Sequence, residues 1–256
     1  MTTTTLHRDA YIDLIKRSVT NYHYLGGATP FEQFRCVTHY DVDQGQWKID
    51  PLARPTTLLA KNQLDLLERA ILELEERRVP GDFIEAGVWR GGVIILLRAL
   101  IKAYNISGRK VFAADSFAGI PMNERAENDP VDLWSDRWVA SLDEVKRNIC
   151  RFGLLDDRIE FVVGFFAESL KALTDERFAL IRLDSDSYES VQTSLEHLYP
   201  SLSREGVVII DDWHLPGCRR AVWDYRAKHR IKDRLFDAHG NAFWVKGQDY
   251  GSPART

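Results

Sequence analysis

The feature that most constrains the fold is a regular alternation of short apolar runs with amphipathic segments after residue 82. Each apolar run predicts a strand, and the residues that follow it have the helical spacing of apolar side chains. This alternation predicts βαβ units in a mainly parallel α/β sheet, with helices on both faces because crossovers are right-handed. The predicted strands cover residues 83–86, 110–114, 158–163, 178–183 and 206–210.

The C-terminal part of the chain predicts a hairpin. Two further strand-like runs, residues 232–238 and 242–246, flank His239, Gly240 and Asn241, which is a spacing typical of an antiparallel hairpin. The sheet therefore has seven predicted strands. An ending of strand, helix and hairpin is unlike half of a dinucleotide-binding dehydrogenase. It is similar to the Rossmann-like fold of the class I S-adenosylmethionine-dependent methyltransferases.

The N-terminal part has a different pattern. Residues 9–25 and 58–79 have the spacing of amphipathic helices, whereas residues 26–57 are rich in glycine, proline and scattered aromatics. We expect the latter segment to be irregular, and either a lid over a site or an ordered strap over the core. The predicted division places N-terminal helices and a lid or substrate segment in residues 1–79, and the cofactor-binding core in residues 80–256.

Composition excludes several classes of function. The chain carries 34 basic and 38 acidic side chains, so its net charge is 34 − 38 = −4, which does not favour nucleic-acid binding. It begins without an apolar signal core, and its longest apolar stretch is too short to span a membrane. We expect a cytoplasmic protein without membrane attachment. The three cysteines fit a reducing compartment and no metal-site spacing: Cys36, Cys150 and Cys218.

Ligands of open parallel sheets bind beyond the carboxyl ends of the strands, so the residues at those ends are candidates for function. The first predicted strand ends in Glu85, followed by Gly87 and Gly91 before a helix. This E-x-G-x-x-x-G pattern differs from dinucleotide motifs and has the spacing found around the methionine part of S-adenosylmethionine. A tight turn without a ligand is the alternative interpretation of the same glycines.

The next two strand ends suit the rest of that cofactor. Asp115 follows the second strand, where a carboxylate can accept hydrogen bonds from both hydroxyls of a ribose. Gly164, Phe165 and Phe166 follow the third strand and could bound an adenine ring. The alternatives are a helix cap or turn role for Asp115 and core packing for the aromatic side chains.

Two pairs of carboxylates follow the fourth and fifth strands. Asp184 and Asp186 follow the fourth strand, and Asp211 and Asp212 follow the fifth. Four negative charges at one edge of a sheet repel one another unless a cation neutralises them, and carboxylate oxygens suit Mg²⁺. A helix cap explains one of these residues at most. The sequence therefore predicts a magnesium site.

Histidines and aromatic residues provide further candidates. His214 directly follows the second acidic pair and could act as a base or contact a substrate, although a solvated surface role is the alternative. His23 and His39 lie in the irregular N-terminal segment and could face a substrate. Aromatic side chains could line a pocket for a sugar or an aromatic skeleton, or belong to the core: Tyr22, Tyr24, Trp47, Trp134 and Trp138.

Several long motifs resemble those of one family. They are VPGDFIEAGVWRGG at 79–92, ADSFAGIP at 114–121, RFGLLDD at 151–157, RLDSDSY at 182–188 and IIDD at 209–212, with YIDLIKR at 11–17. Over nearly its whole length the chain resembles the macrocin-type O-methyltransferases. The resemblance implies S-adenosylmethionine and Mg²⁺ as cofactors, and methylation of sugar hydroxyls on antibiotics, such as macrolide deoxysugars and the noviose of aminocoumarins.

The resemblance also implies roles for individual residues. Glu85 and Gly87 would hold the methionine end, and Asp184 or Asp186 would assist proton removal. The N-terminal region and residues 122–140 would form the lid and acceptor pocket. Residues 26–56 and 122–140 depart from the family in length and composition, so the acceptor is not identified. The remaining implied contacts are Asp115, Ser116 and Phe117 at the ribose, Ser141 at the adenine or ribose, Gly164, Phe165 and Phe166 at the adenine, and Asp184, Asp211 and Asp212 at Mg²⁺.

Three hypotheses of function follow. The first is a magnesium-dependent O-methyltransferase that acts on the sugar of a glycosylated secondary metabolite and forms a homo-oligomer. The second is a catechol-type O-methyltransferase. The catechol enzymes usually have a lysine near the metal-binding aspartate of the fourth strand, whereas here Ser187 follows Asp186, which argues against this hypothesis. The third is a catalytically silent binding protein, and the two intact acidic pairs argue against it.

Overall fold

The structure is a computed structural model that describes residues 3–22, 38–41, 46–49, 54–120 and 138–248. For residues 38–41 and 46–49 it describes the backbone alone. His23, Tyr24, Cys36 and Trp134 lie outside the described residues, as do residues 121–137 of the predicted lid. None of the helices in the described ranges is long and apolar enough to cross a membrane.

The elements follow the predicted alternation. The strands are β1 (Thr38–Asp41), β2 (Gln46–Ile49), β3 (Asp82–Ala86), β4 (Val111–Asp115), β5 (Ile159–Val163), β6 (Phe178–Leu183), β7 (Leu202–Ile210), β8 (Phe236–Ala238) and β9 (Asn241–Val245). The helices are α1 (Thr3–Val19), α2 (Lys61–Glu76), α3 (Gly92–Ala103), α4 (Leu142–Arg151), α5 (Phe166–Ser169), α6 (Tyr188–Leu198) and α7 (Pro216–Lys228), with a 3₁₀ turn at Leu170–Leu173.

The main sheet has seven strands in the order β5-β4-β3-β6-β7-β9-β8. Strands β3 to β7 are parallel, whereas β9 pairs antiparallel with both β7 and β8. The prediction of a seven-stranded, mainly parallel sheet that ends in an antiparallel hairpin is confirmed. From β3 the strand order runs to β4 and β5 on one side and to β6 and β7 on the other, and this switch point opens a crevice at the carboxyl ends of the central strands.

Alternate side chains of each strand enter two apolar layers. Phe83 and Leu180 pack with helices α1, α2, α3 and α4, while Ile84 and Ile181 pack with α6 and α7. Both faces of the central strands are therefore buried, which explains their nearly continuous apolar sequences. Because α1 and α2 share the first layer with the sheet, the N-terminal helices belong to the same core. The division at residue 79 stays a prediction.

The prediction of an irregular segment over residues 26–57 is wrong for part of that range. β1 and β2 pair antiparallel there, with Thr38 opposite Ile49 and Tyr40 opposite Trp47. Aromatic and β-branched residues favour strands, and the surrounding glycines and prolines obscured this signal. The predicted strand over 232–238 is also too long, since β8 begins only at Phe236.

The described part of this segment after residue 53 is a strap across the core. The amide of Thr56 donates to the carbonyl of Val19 (2.9 Å), and the amide of Gly92 donates to the carbonyl of Thr56 (3.0 Å). A Cβ on Gly92 would lie 2.7 Å from the Thr56 carbonyl carbon, so only glycine permits this approach. The strap is thereby fixed between α1 and the first turn of α3.

Candidate active site

A cavity of 730 Å³ opens at the carboxyl edge of the central strands. The ends of β3, β4, β6 and β7 form its floor, the strap borders one side, and the β8–β9 turn borders another. Ten predicted site residues line it: Glu85, Gly87, Asp115, Ser116, Phe165, Phe166, Asp184, Asp186, Asp211 and Asp212. This position is the one predicted from the topology.

Gly87 presses the turn after β3 against the end of β6. Its φ is +94°, and a Cβ there would lie 1.6 Å from the carbonyl oxygen of Asp184, so no side chain fits. The amide of Asp184 donates to the carbonyl of Ala86 (2.9 Å). Gly87 therefore brings the turn after β3 and the first acidic pair to the same point. Gly91 acts behind the cavity, where its φ of +85° starts α3 and a Cβ would crowd Val145.

Asp115 ties that turn to the end of β4. One carboxylate oxygen accepts from the amides of Val88 (2.7 Å) and Trp89 (3.2 Å), and the other accepts from the amide of Phe117 (2.8 Å). Burial raises the pKa of Asp115, and these three hydrogen bonds oppose that rise. A carboxylate offers about four acceptor positions, so about one remains beside these three bonds, for the neighbouring Ser116 hydroxyl or for a ligand hydroxyl.

Glu85 is a buried carboxylate on the floor of the cavity, 1% exposed. Its Oε1 accepts from Arg182 (2.5 Å), while its buried Oε2 has no hydrogen-bond partner among the described residues. Burial raises the pKa of Glu85 well above its ordinary value, and Arg182 opposes this. The unpartnered oxygen fits an ammonium group such as that of a methionine moiety.

The other predicted cofactor residues divide into two groups. Ser116, Phe165 and Phe166 line the cavity, and Phe165 is 44% exposed. Phe117 instead packs in the core beside Phe161. Gly164 and Ser141 are absent from the described cavity lining: Gly164 accepts from Ser169 through its carbonyl (3.0 Å), and the Ser141 hydroxyl caps α4 by accepting from the amide of Glu144 (3.3 Å).

Three carboxylates form a compact group beside Glu85. One oxygen from each of Asp184, Asp186 and Asp212 lies within 4.8 Å of the others. Burial first, and the neighbouring negative charges second, raise the pKa of Asp212 well above its ordinary value; burial also raises the pKa of Asp184 and of Asp186. Asp212 Oδ2 is buried and has no hydrogen-bond partner among the described residues. This donor set fits a hard divalent cation.

Asp211 lines the same cavity but does not belong to that group. Its Oδ1 forms an ion pair with Arg182 Nη2 (2.7 Å) and accepts from Asn241 Nδ2 (2.9 Å). Burial raises the pKa of Asp211 to about 6, against the opposing effect of Arg182. The predicted cation ligands were Asp184, Asp211 and Asp212, so the structure groups two of them with Asp186 in place of the third.

Arg182 is the central residue that the sequence analysis missed. Its side chain is 2% exposed and lies among three carboxylates, with Nη1 donating to Glu85 (2.5 Å) and to Asp184 (2.9 Å), and Nη2 paired with Asp211. Burial alone would lower the pKa of Arg182, but these negative charges raise it well above its ordinary value. One signal was present: an arginine in the middle of an otherwise apolar strand, β6, is costly unless it is paired.

Further residues complete the cavity wall. His214 lines it, as the sequence analysis allowed, together with Leu215 and Trp138. His239 and Gly240 of the β8–β9 turn also line it, as do residues 56–59 of the strap and Gln63 of α2. The sequence analysis used His239 and Gly240 only as hairpin signals and placed the strap residues only within a predicted lid or strap, and it did not single out Gln63.

The fold and this edge of carboxylates define an O-methyltransferase of the class I type, the class that uses S-adenosylmethionine. The chain belongs to the macrocin-O-methyltransferase (TylF) family, whose model matches residues 8–246. The predictions of fold, family and O-methyltransferase activity are confirmed.

Individual relatives match over most of the chain. The mycinamicin III 3''-O-methyltransferase of Micromonospora griseorubida is 36% identical over 241 residues, which are 90% of this chain and 92% of the relative. The 8-demethyl-8-(2,3-dimethoxy-α-L-rhamnosyl)-tetracenomycin-C 4'-O-methyltransferase of Streptomyces olivaceus is 37% identical over 243 residues, 93% of this chain and 92% of the relative. The structure of the O-methyltransferase NovP superposes with a TM-score of 0.80 at 30% identity, covering 94% of this chain and all of NovP.

Proposed function

We propose that the protein transfers the methyl group of S-adenosylmethionine to a sugar hydroxyl of a glycosylated natural product, with Mg²⁺ bound at the acidic edge. The observation that carries this proposal is the group of Asp184, Asp186 and Asp212 opposite the glycine turn at Gly87, within one cavity. The names of two relatives, a mycinamicin III and a rhamnosyl-tetracenomycin O-methyltransferase, support a glycosylated acceptor. The homo-oligomer and the cytoplasmic location stay predictions.

The cofactor residues follow from the contacts that remain open. Glu85 Oε2 would accept from the amino group of the methionine moiety, and the remaining acceptor position of Asp115 would bind a ribose hydroxyl. Phe165 and Phe166 would bound the adenine from the β5 end. When bound, S-adenosylmethionine supplies a methyl group on a positively charged sulfur. The chain's contribution is to align this methyl with the acceptor oxygen.

The acidic edge holds the cation and takes the proton. Asp184 and Asp212 are common to the predicted ligand set and to the observed group, so we assign both to Mg²⁺. A bound Mg²⁺ would act as a Lewis acid on the acceptor hydroxyl. The resemblance implies Asp211 as the third ligand, so we assign Asp186, which lies in the same carboxylate group, as the base that takes the hydroxyl proton.

A catechol-type acceptor is the alternative, because two neighbouring aromatic hydroxyls would use the same cation. A panel of acceptors separates the two, with ¹⁴C-methyl-S-adenosylmethionine as donor. We expect label on macrolide and aromatic polyketide glycosides that carry a free sugar hydroxyl, and none on the matched aglycones or on catechol. Labelling of catechol and not of any glycoside would contradict the sugar assignment.

Asp115→Asn is expected to weaken the binding of S-adenosylhomocysteine by roughly 10- to 100-fold. The side-chain NH₂ of the asparagine would face at least one of the three backbone amides that Asp115 accepts from, so at least one of these hydrogen bonds is lost whichever way the side chain is turned. Isothermal titration calorimetry measures this affinity. Asp157→Asn, in the turn before β5, is the matched control, and an unchanged affinity of the Asp115 variant would refute the ribose assignment.

A further inference from the structure

Two linked side-chain amides, those of the half-buried Gln63 and the buried Asn241, connect α2 to the acidic edge. Asn241 opens β9 and is 2% exposed, and its Nδ2 donates to Asp211 Oδ1 (2.9 Å). Gln63, in the first turn of α2, donates from Nε2 to Asn241 Oδ1 (2.8 Å). The amide of Ala60 donates to Gln63 Oε1 (2.7 Å). The start of α2 is therefore linked through Asn241 to one oxygen of Asp211.

The backbone amide of Ala60 fixes the donor-to-acceptor direction of this series of hydrogen bonds. A backbone amide can only donate, so the Ala60 N–H requires Gln63 to present its oxygen there and its NH₂ group to Asn241. Asn241 must then present its oxygen to Gln63 and its NH₂ group to Asp211. Neither amide can rotate by 180° without breaking a buried hydrogen bond. The two linked amides therefore always present a hydrogen-bond donor, and never an acceptor, to Asp211.

That donor acts on the same atom as Arg182. The hydrogen bond from Asn241 and the ion pair with Arg182 both end on Asp211 Oδ1, which fixes the rotation of the carboxyl group. Its other oxygen, Oδ2, carries neither of these contacts. Outer contacts that orient a ligating carboxylate commonly change cation affinity by about 10- to 100-fold when they are removed.

We propose that Asn241 and Gln63 are positioning residues, which pin Asp211 Oδ1 so that Oδ2 is held ready for the cation at the acidic edge. The inference rests on the proposed function, because it requires that a cation binds there. It also gives the β8–β9 hairpin and the start of α2 a role at the site beyond lining the cavity. Gln63 acts only through Asn241, since its hydrogen bond ends there.

The test uses neutral variants of similar size in the full chain. We measure Mn²⁺ binding by electron paramagnetic resonance, in the presence of S-adenosylhomocysteine, for Asn241→Leu, Gln63→Met and the double variant. Asn241→Leu is expected to weaken Mn²⁺ binding roughly 10- to 100-fold, and Gln63→Met by less, because Asn241 can still donate. In the Asn241→Leu background, Gln63→Met should add no further loss. If the two residues acted independently and not through Asp211, the losses of Mn²⁺ affinity in the double variant would be additive.

The controls separate the possible failures. Gln192→Met removes a glutamine on α6 that donates to the carbonyl of Ala221 (2.8 Å) outside the cavity, and it should leave Mn²⁺ binding unchanged. Gln63 is half-buried, so Gln63→Met still tests the inference if Asn241→Leu does not fold. If the wild-type protein binds no Mn²⁺, the cation site of the proposed function is wrong. If the wild type binds it and the variants bind it equally well, the positioning role alone is overturned.

Discussion

Asp212→Asn is expected to lower the rate of methyl transfer by about 10³-fold or more, while S-adenosylhomocysteine still binds with nearly unchanged affinity. Asp212 belongs both to the observed carboxylate group and to the predicted ligand set, and its Oδ2 is buried without a hydrogen-bond partner among the described residues. An amide oxygen in its place removes one negative charge from the cation site. A 10³-fold loss corresponds to about 4 kcal/mol of transition-state stabilisation.

The rate is measured with labelled S-adenosylmethionine and a glycosylated acceptor, and cofactor binding by calorimetry. Asp224→Asn is the matched control, because Asp224 lies on α7 outside the described cavity lining and accepts from the Tyr188 hydroxyl (2.9 Å). The control should retain the wild-type rate. An Asp212 variant that keeps more than about a tenth of the wild-type rate would show that its carboxylate is not a ligand.

The largest expected effect on stability comes from Arg182→Met. The substitution leaves the carboxylates of Glu85, Asp184 and Asp211 near one another without the guanidinium group that pairs with all three. Removing one partner of a buried ion pair typically costs about 3–5 kcal/mol, because the remaining charge stays buried. Urea denaturation measures the free energy of unfolding. Arg17→Met, which removes an exposed pair with Asp13, should cost at most about 1 kcal/mol.

The loss of unfolding free energy in the Arg182→Met variant should also depend on pH. Burial already raises the pKa of Glu85 and of Asp211, and loss of the guanidinium raises both further. At these two carboxyls the folded variant then binds more protons than the unfolded chain, so their unfavourable contribution to stability is smallest at low pH and grows as pH rises through the folded pKa values. The loss relative to the wild type should therefore be smaller at pH 5 than at pH 8. A loss independent of pH would contradict this electrostatic explanation.

Local patterns in the sequence were sufficient to predict the sheet and the edge that carries the site. The alternation of apolar runs and helices determines the parallel sheet, and the topology then brings the ends of β3, β4, β6 and β7 together. Asp115 and the two acidic pairs were identified because they directly follow strands. Because these residues are carboxylates at one edge of the sheet, they indicate ribose and cation binding even where the side-chain orientations are unknown.

Contacts between distant segments could not be predicted in this way. Arg182 meets Glu85 because β3 and β6 are in register at these two residues, and a sequence does not reveal that register. Gln63 and Asn241 meet across 178 residues of separation. Asp186, which groups with Asp212, has a left-handed backbone (φ +57°), a conformation that aspartate adopts more often than most residues but that its identity alone does not fix.

The most direct test of the central claim is the dependence of methyl transfer on free Mg²⁺. The protein is treated with EDTA, dialysed, and assayed with labelled S-adenosylmethionine and an accepted glycoside while Mg²⁺ is added back. We expect no transfer above background without the cation, saturable recovery with Mg²⁺, and no recovery in Asp212→Asn at the same concentrations. Full activity in EDTA would contradict the proposal that the carboxylates of Asp184 and Asp212 serve a bound cation.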